Sequence, residues 1–359
     1  MKWWAVWTPT KTCTWRRSWI ITAPPSQRII SRPPGTAALP AEDLPPHPDH
    51  FPSTRHGYCE LIAWMSGFGS LVRVGIECTG SYGAGLARTF ADRGIPVYEV
   101  TAPDKGLRRA KGKDDFIDAI AAARSAYSGQ RLALAKDRRG QVEALRVLRT
   151  TRKTAVKCRR AALQQMHNTI VAAPDGIREQ FGSMPKMQLI RGAAASRPDP
   201  SRFRDSLVAT RLSLKSLARR VLELDDEIAQ LDGFITHLVE ELAPTLLDLQ
   251  GVGVDVAAQF LVTAGDNPER LDSESSFAML CGACPVPASS GKVSRYRLNR
   301  GGNRQANAAL HVVVLVRMYR DERTKAYVKR RIAEGLSKRD IIRCLKRYVA
   351  REVYRVLTA

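Results

Sequence analysis

Three carboxylates in this sequence have the types and spacing that chemistry on a phosphate would need. Glu77 lies in Arg73-Val74-Gly75-Ile76-Glu77-Cys78-Thr79-Gly80-Ser81-Tyr82-Gly83. Asp115 and Asp118 lie in Lys111-Gly112-Lys113-Asp114-Asp115-Phe116-Ile117-Asp118-Ala119. At positions i and i+3, the two aspartates share one face of a helix. Carboxylates brought together repel one another unless a cation sits between them. An all-oxygen ligand set suits Mg²⁺, and two such ions about 4 Å apart can clamp the attacking and leaving oxygens of a phosphodiester.

Those side chains need elements to hold them. The apolar run Leu71–Ile76 reads as a buried strand, which puts Glu77 at a strand end. Gly80 and Gly83 turn the chain into a helix starting at Leu86–Phe90, and Ile95–Val100 reads as the next strand. Residues 51–70 carry Tyr58, Leu61, Ile62, Trp64, Met65 and Phe68 at near-helical spacing. The basic run Lys105–Lys113, just before the aspartates, suits nucleic-acid backbone.

Residues 138–172 and 202–242 read as two long helices. The second keeps heptads, with Leu207, Leu214, Val221, Ile228 and Ile235 at a and Thr210, Leu217, Leu224, Leu231 and Leu238 at d. That repeat predicts a coiled coil, within one chain or between chains. Arg149, Arg152 and Arg159 interrupt the first helix's seam and give it a basic face, while Gly182–Pro200 reads as a polar connection. Beyond Ala243, Leu246–Ala258 looks like a helix-hairpin-helix. Its Gly251 and Gly253 let backbone N–H groups approach a phosphate at the next helix's N-terminus. Residues 305–319 predict an apolar helix with His311 as a core or partly buried residue. Residues 325–355 predict a helix with a basic face.

The 359 residues allow two or three domains, and 44% hydrophobic content allows real cores. A formal net charge of +22 points to a polyanionic partner, DNA or RNA, and to salt-sensitive binding. The seven cysteines are scattered and odd in number, which is no disulfide framework. Cys281-Gly-Ala-Cys284 has neither a second pair nor an adjacent His, so small buried residues are expected there rather than zinc ligands. No apolar run is long enough to span a membrane, and no signal peptide is visible. A cytoplasmic, nucleoid-associated protein is expected.

Gly-Ile-Glu-Cys-Thr-Gly-Ser-Tyr-Gly followed by Lys-x-Asp-x-x-Asp-Ala closely resembles the IS110 family of bacterial insertion-sequence transposases, kin of the Piv-type DNA invertases. The resemblance covers about Phe51 to Val356. It implies an α/β, RuvC-like (RNase H-like) N-terminal domain with an Asp-Glu-Asp-Asp metal set. Glu77, Asp115 and Asp118 match three of those four acids. It also implies a nucleophilic serine in Pro285-Val286-Pro287-Ala288-Ser289-Ser290-Gly291-Lys292, with Ser290 favoured over Ser289. Serine needs activation by a base or metal. Lys292, Arg295, Arg297, Arg300 and Arg304 would offset phosphate charge, and Asn303, Arg304 and Asn307 would contact nucleic acid or brace the loop. A coiled coil supporting homo-oligomers and a structured RNA encoded by the element are implied as well.

The first fifty residues do not fit. Trp3, Trp4, Trp7, Trp15 and Trp19 accompany Pro24-Pro25, Pro33-Pro34 and Pro45-Pro46, with no helical or strand periodicity. The family begins with a strand ending in its first catalytic Asp, within Val-Asp-Thr-His-Lys-Asp, and no such motif is visible. Codon arithmetic offers an explanation. Trp has one codon and every Thr codon begins AC, so the Trp7-Thr8 junction, shifted by one base, reads GAC, which is Asp. The junctions that follow allow Thr, His, Lys and Asp in turn. Residues 1 to roughly 48 therefore read as translated out of frame and disordered, with the frame restored near Phe51.

The expected architecture is thus an incomplete RuvC-like domain at 51–135 lacking its first strand, long coiled-coil helices at 136–242, and an α-helical C-terminal domain at 243–359 with the serine. The expected reaction is Mg²⁺-assisted DNA strand cleavage and rejoining in transposition, impaired by the missing Asp. An inert nucleic-acid-binding remnant and a site-specific invertase or resolvase are the alternatives.

Overall fold

The computed structural model describes residues 2–7, 14–16, 50–67, 70–100, 126, 133–289, 296–297 and 299–359, with backbone alone at 2–7, 14–16 and 50. Two compact units result. One holds residues 1–138 together with 265–272, and the other holds 139–264 together with 273–359.

The first unit is built on β1 (Lys2–Trp7), β4 (Ser70–Glu77), β5 (Val97–Val100) and β6 (Ala133–Leu134), hydrogen-bonded in that order. β1 and β5 both run parallel to β4, and β6 is antiparallel to β5. A two-stranded ladder joins β2 (Thr14–Arg16) to β3 (His50–Pro52). The expectation of a sheet without its first strand is corrected here. Lys2–Trp7 forms that strand, and it lies at the edge of the described sheet rather than between partners. Ladder hydrogen bonds join main chains, and Trp-Trp-Ala-Val-Trp has the aromatic and β-branched content that suits a strand. A search for alternating periodicity passes over such a run.

Helix α1 is Arg55–Ser66, shorter than the expected 51–70. The Thr54 side chain accepts from Gly57 N at 3.2 Å and caps its start, while Gly67 closes its end. Tyr58, Leu61, Ile62 and Met65 recur at helical spacing and are buried. They pack with Phe51, Val74, Ile76, Val97, and Leu86 and Phe90 of α2 (Ala84–Ala91) into one apolar core. At about 25 cal/mol per Å² of buried apolar surface, this core is the main source of the unit's order.

In the second unit, α3 (Gln141–Val171) and α6 (Ser206–Leu242) lie antiparallel. Gln141 Nε2 donates to Glu241 Oε1 at 2.8 Å near one end. Arg152 pairs with Asp232 and Arg159 with Asp225 further along. The basic face expected of α3 is corrected by these pairs. Its arginines recur every seven residues, as do the two aspartates opposite them, so the charges set the register of the helices. Arg149 likewise bonds Gln259 Oε1 and Asp255 Oδ1, each at 2.8 Å. Leu214, Leu217, Val221 and Ile235 of the heptads are buried, and the other heptad positions are half-buried.

The Gly182–Pro200 connection, expected to be merely polar, carries α5 (Lys186–Ala195), and α4 (Asp175–Phe181) precedes it. Ile177 and Phe181 of α4 and Ile190 and Ala193 of α5 are buried in one cluster with Met166, Ile170, Leu214 and Leu217. Four apolar residues, spread thinly through a polar stretch, suffice to cap the helix pair. The chain continues through α7 (Pro244–Leu247), α8 (Val254–Ala264), α9 (Glu274–Leu280), the β7–β8 hairpin (Val286–Pro287 with Tyr296–Arg297), α10 (Arg304–Arg320), α11 (Glu322–Ala333) and α12 (Lys338–Leu357). Among the described residues no helix is long and apolar enough to cross a membrane.

Candidate carboxylate and phosphate-contact sites

Glu77 is the last residue of β4 and is half-buried. Backbone restraint holds it there. Cys78 follows with φ 57°, the left-handed region that L side chains rarely adopt. Its carbonyl accepts from Ser81 N at 2.9 Å and Gly83 N at 3.1 Å, so the chain doubles back at once. A Cβ on Gly83 would stand 2.7 Å from the Glu77 carbonyl oxygen and 2.9 Å from Ile76 Cγ2. Only glycine lets the turn close this tightly. Thr79 is buried beneath it, while Gly80, Ser81 and Tyr82 are exposed.

The surroundings of Glu77 are negative. Burial first, then Glu77 and Glu99, push the Cys78 thiol above its ordinary pKa. Glu99, paired in register with Ile76 on β5, is thus a second carboxylate at this end of the sheet. Asp115, Asp118 and the Lys105–Lys113 run lie outside the described residues. Among the described residues, no three metal-ligating side chains converge. The described portion therefore supplies carboxylate oxygen, the donor that Mg²⁺ prefers, without a complete ligand set.

Two cations of the same unit escape a reading by sequence spacing. The Arg138 guanidinium lies over the turn, where a Cβ on Gly80 would come within 2.9 Å of its Nη2. Arg270 is half-buried and its Nη1 donates to Leu134 O at 3.4 Å. Burial pushes the Arg270 pKa down, and Glu99 and Glu269 push it back up. The signal that could have found Arg138 is the Asp137-Arg138-Arg139 charge cluster after a strand. Nothing in the sequence ties it to Gly80.

In the helical unit, α7 and α8 flank the expected hairpin. Gly251 has φ 86°, and a Cβ there would meet Val313 O at 3.3 Å, so glycine is required. Gly253 has open space around it, which leaves the first turn of α8 approachable. Arg317 of α10 donates to Gln250 O at 2.8 Å and holds the hairpin in place.

Ser289 is exposed at the end of β7, whereas Ser290, Lys292 and Arg295 lie outside the described residues. Arg297, Arg300 and Arg304 are exposed. The Asn303 side chain caps α10, accepting from Gln305 N at 2.9 Å and Ala306 N at 3.2 Å. Asn307 donates to the Cys281 and Gly282 carbonyls, each at 3.0 Å. Both asparagines thus brace the loop. Cys281 is buried and Cys284 half-buried, and both are free thiols. Lys346 donates to Asn307 Oδ1 at 2.8 Å, and burial lowers its pKa.

Two family models match this chain. One, described as a transposase of the DEDD IS110 type, matches residues 45–173. The other, "Transposase IS116/IS110/IS902 family", matches residues 243–329. The chain is 27% identical over 183 residues to the uncharacterized 42 kDa protein of insertion element IS900 from Mycobacterium paratuberculosis, covering 45% of this chain and 44% of that one. It is 32% identical over 123 residues to the uncharacterized 43.6 kDa protein of insertion element IS110 from Streptomyces coelicolor, covering 33% of this chain and 30% of that one. The matched stretches thus span less than half the length of either relative.

Proposed function

We infer the function from one premise: the chain belongs to the IS116/IS110/IS902 family of transposases. The reading is that it cleaves and rejoins DNA strands to move an insertion sequence. The observation that carries it is Glu77, set at the carboxyl end of a parallel strand by a turn that tolerates little else. Glu77, Asp115 and Asp118 would hold Mg²⁺, whose charge would stabilise negative oxygen on a phosphate. Ser290, or Ser289, would attack phosphorus and form a phosphoserine ester while the bond from phosphorus to one sugar oxygen breaks, and a sugar hydroxyl would displace the serine when the strand is rejoined. Exposed Arg297, Arg300 and Arg304 would balance charge on the reacting phosphate, together with Lys292 and Arg295. Gly251 and Gly253 would admit a backbone phosphate to the start of α8. A structured RNA from the element is the proposed second partner, and homo-oligomers through the α3–α6 coiled coil the proposed assembly.

The register of β1 bears on the altered start. Trp7 pairs with Ile76, the residue before Glu77. The shifted frame reads the Trp7-Thr8 junction as Asp, so restoring it would set a carboxylate at the end of β1 beside Glu77. The match to the DEDD model takes up the chain at residue 45, close to the proposed return of frame. This copy is therefore expected to be impaired.

The test compares the present chain, a frame-restored chain and its E77Q variant on DNA carrying the element's ends. The restored chain should cut with Mg²⁺ and not with EDTA, the present chain more slowly, and E77Q by a factor of about 10² less. A restored chain that binds DNA without cutting it is an inert remnant. Preference for a four-way junction would favour the resolvase or invertase alternative.

A further inference from the structure

We propose that Lys153, Lys157 and Arg160 of α3 form a docking face for the backbone of double-stranded DNA, outside the seam that joins α3 to α6. This deepens the function above and rests on its choice of DNA as partner. α3 carries seven Lys and Arg residues and a single acid, Glu143. Arg146 is paired with that Glu143, Arg149 with Asp255, Arg152 with Asp232 and Arg159 with Asp225. Lys153, Lys157 and Arg160 are the cations left over. All three are exposed, and among the described residues none has an ion-pair partner. At 3.6 residues per turn they fall within about 60° of one another, along one side of the helix. Exposed Thr151, Thr154, Cys158 and Gln165 lie on the other side and carry no charge. The outer surface of α3 is thus divided into a cationic row and a neutral flank.

A helix face that only meets water usually interleaves its charges, since opposite signs a turn apart support the helix. α11 does so, with Lys325 2.7 Å from Glu322 and Arg330 3.6 Å from Glu334. The exposed surface of α6 follows Arg219 and Arg220 with Glu223, Asp226 and Glu227. The row on α3 has no such counter-charge, so its cations repel one another until an anion arrives. At 1.5 Å per residue the row is about 10 Å long, a length over which a DNA duplex presents about six phosphates. A row of cations matches a row of phosphates, whereas a single phosphate ion would meet only part of it. α3 has no Phe, Tyr or Trp on which an unpaired base could stack. Its face therefore grips backbone without reading bases, as suits a duplex. A transposase acts on DNA, which selects that duplex over RNA. Thr150 and Thr154 turn their hydroxyls back to the Arg146 and Thr150 carbonyls, at 2.8 and 3.2 Å, and leave a low surface beside the row.

The experiment measures binding of fluorescein-labelled duplex DNA of mixed sequence to the full chain by anisotropy, with duplex RNA and single-stranded DNA as parallel probes. It is done in EDTA over a range of salt, so neither metal nor cleavage enters. The triple variant Lys153→Gln, Lys157→Gln, Arg160→Gln should bind duplex DNA about thirtyfold more weakly at low salt, and its salt slope should fall by about two to three. Glutamine is a good helix former, so the helix should keep its ellipticity. Arg160→Gln alone should lower the slope by about one, and it carries the test should the triple variant fold poorly. Arg202→Gln is an equal charge change at an exposed cation already paired with Asp205 at 2.9 Å, and it should have the smaller effect. The proposal is overturned if the triple variant, folded, binds duplex DNA with the parent's affinity and slope, if Arg202→Gln loses as much as Arg160→Gln, or if the loss falls on duplex RNA or single-stranded DNA alone. A parent that binds duplex DNA unchanged by these substitutions overturns only this face. The expected losses without any Mg²⁺-dependent cleavage would leave the face standing and remove the catalytic reading.

Discussion

The α3–α6 helix pair and the β1–β4–β5–β6 sheet are ordered in opposite ways. Each helix of the pair takes its shape from its own periodicity, and matching seven-residue spacings of arginine and aspartate align the two. The sheet takes its order from partners remote in sequence. β1 finds β4, and the chain leaving β6 is completed by Asn267. Order spread along a repeating seam is redundant, so one lost contact leaves many others. Order that depends on single close approaches is not redundant, and the proposed carboxylate site stands on that kind of order.

The largest test of this contrast cuts the redundant seam where it is densest. Leu214 is 1% exposed, in the cluster that joins α3, α4, α5 and α6. Leu214→Ala should cost about 2–5 kcal/mol, measured by denaturant unfolding followed through helix ellipticity. A heptad position with a half-buried side chain, such as Leu231, should cost visibly less on the same substitution. Equal costs at both positions would deny that the end cluster carries the pair.

The second test strikes a single close approach. Gly83→Ala places a methyl 2.7 Å from a backbone oxygen that cannot rotate away. It should cost about 1–3 kcal/mol in the same unfolding measurement and should displace the end of β4 with Glu77. Gly253→Ala, into open space, is the matched control and should be close to neutral. A neutral Gly83→Ala would show that the turn yields, and that Glu77 is less firmly placed than the geometry indicates.

The same contrast marks what could be read from sequence. Both long helices are legible, the second through its heptads, and the α7–α8 hairpin shows in Gly-x-Gly, because local pattern and final structure share one cause. The strand ending in Glu77 shows as a short apolar run for the same reason. β1 is missed because it is neither alternating nor bounded by turn residues, and a ladder is indifferent to side chains. The α3 arginines look like a free basic face until their aspartates on α6 are found opposite. Arg138, Gly80 and Asn267 carry no shared pattern at all, since long-range packing alone brings them together. Asp115, Asp118 and Ser290, legible through motif, lie outside the described residues.

The smallest effect concerns a pair that mixes the two kinds of order. His311 of α10 lies on the same helix face as Asn307, four residues earlier, and Lys346 reaches that asparagine from α12. Burial, then the Lys346 ammonium, hold the His311 pKa below its ordinary 6.5. Its Nδ1 is buried without a hydrogen-bond partner, so a proton taken there gains nothing. The folded chain therefore binds fewer protons than the unfolded chain once pH falls below about 6.5, and its stability must decline with further acidification. Lys346→Met removes the cation and leaves the burial. His311 should then titrate closer to its ordinary value, and the acid-linked loss should shrink. NMR titration of the imidazole, assigned by Histidine-to-Gln replacement at this position, reads the shift directly. An imidazole whose pKa stays put after Lys346→Met would mean that burial by its own helix sets the value, and the contribution arriving from α12 would be nil.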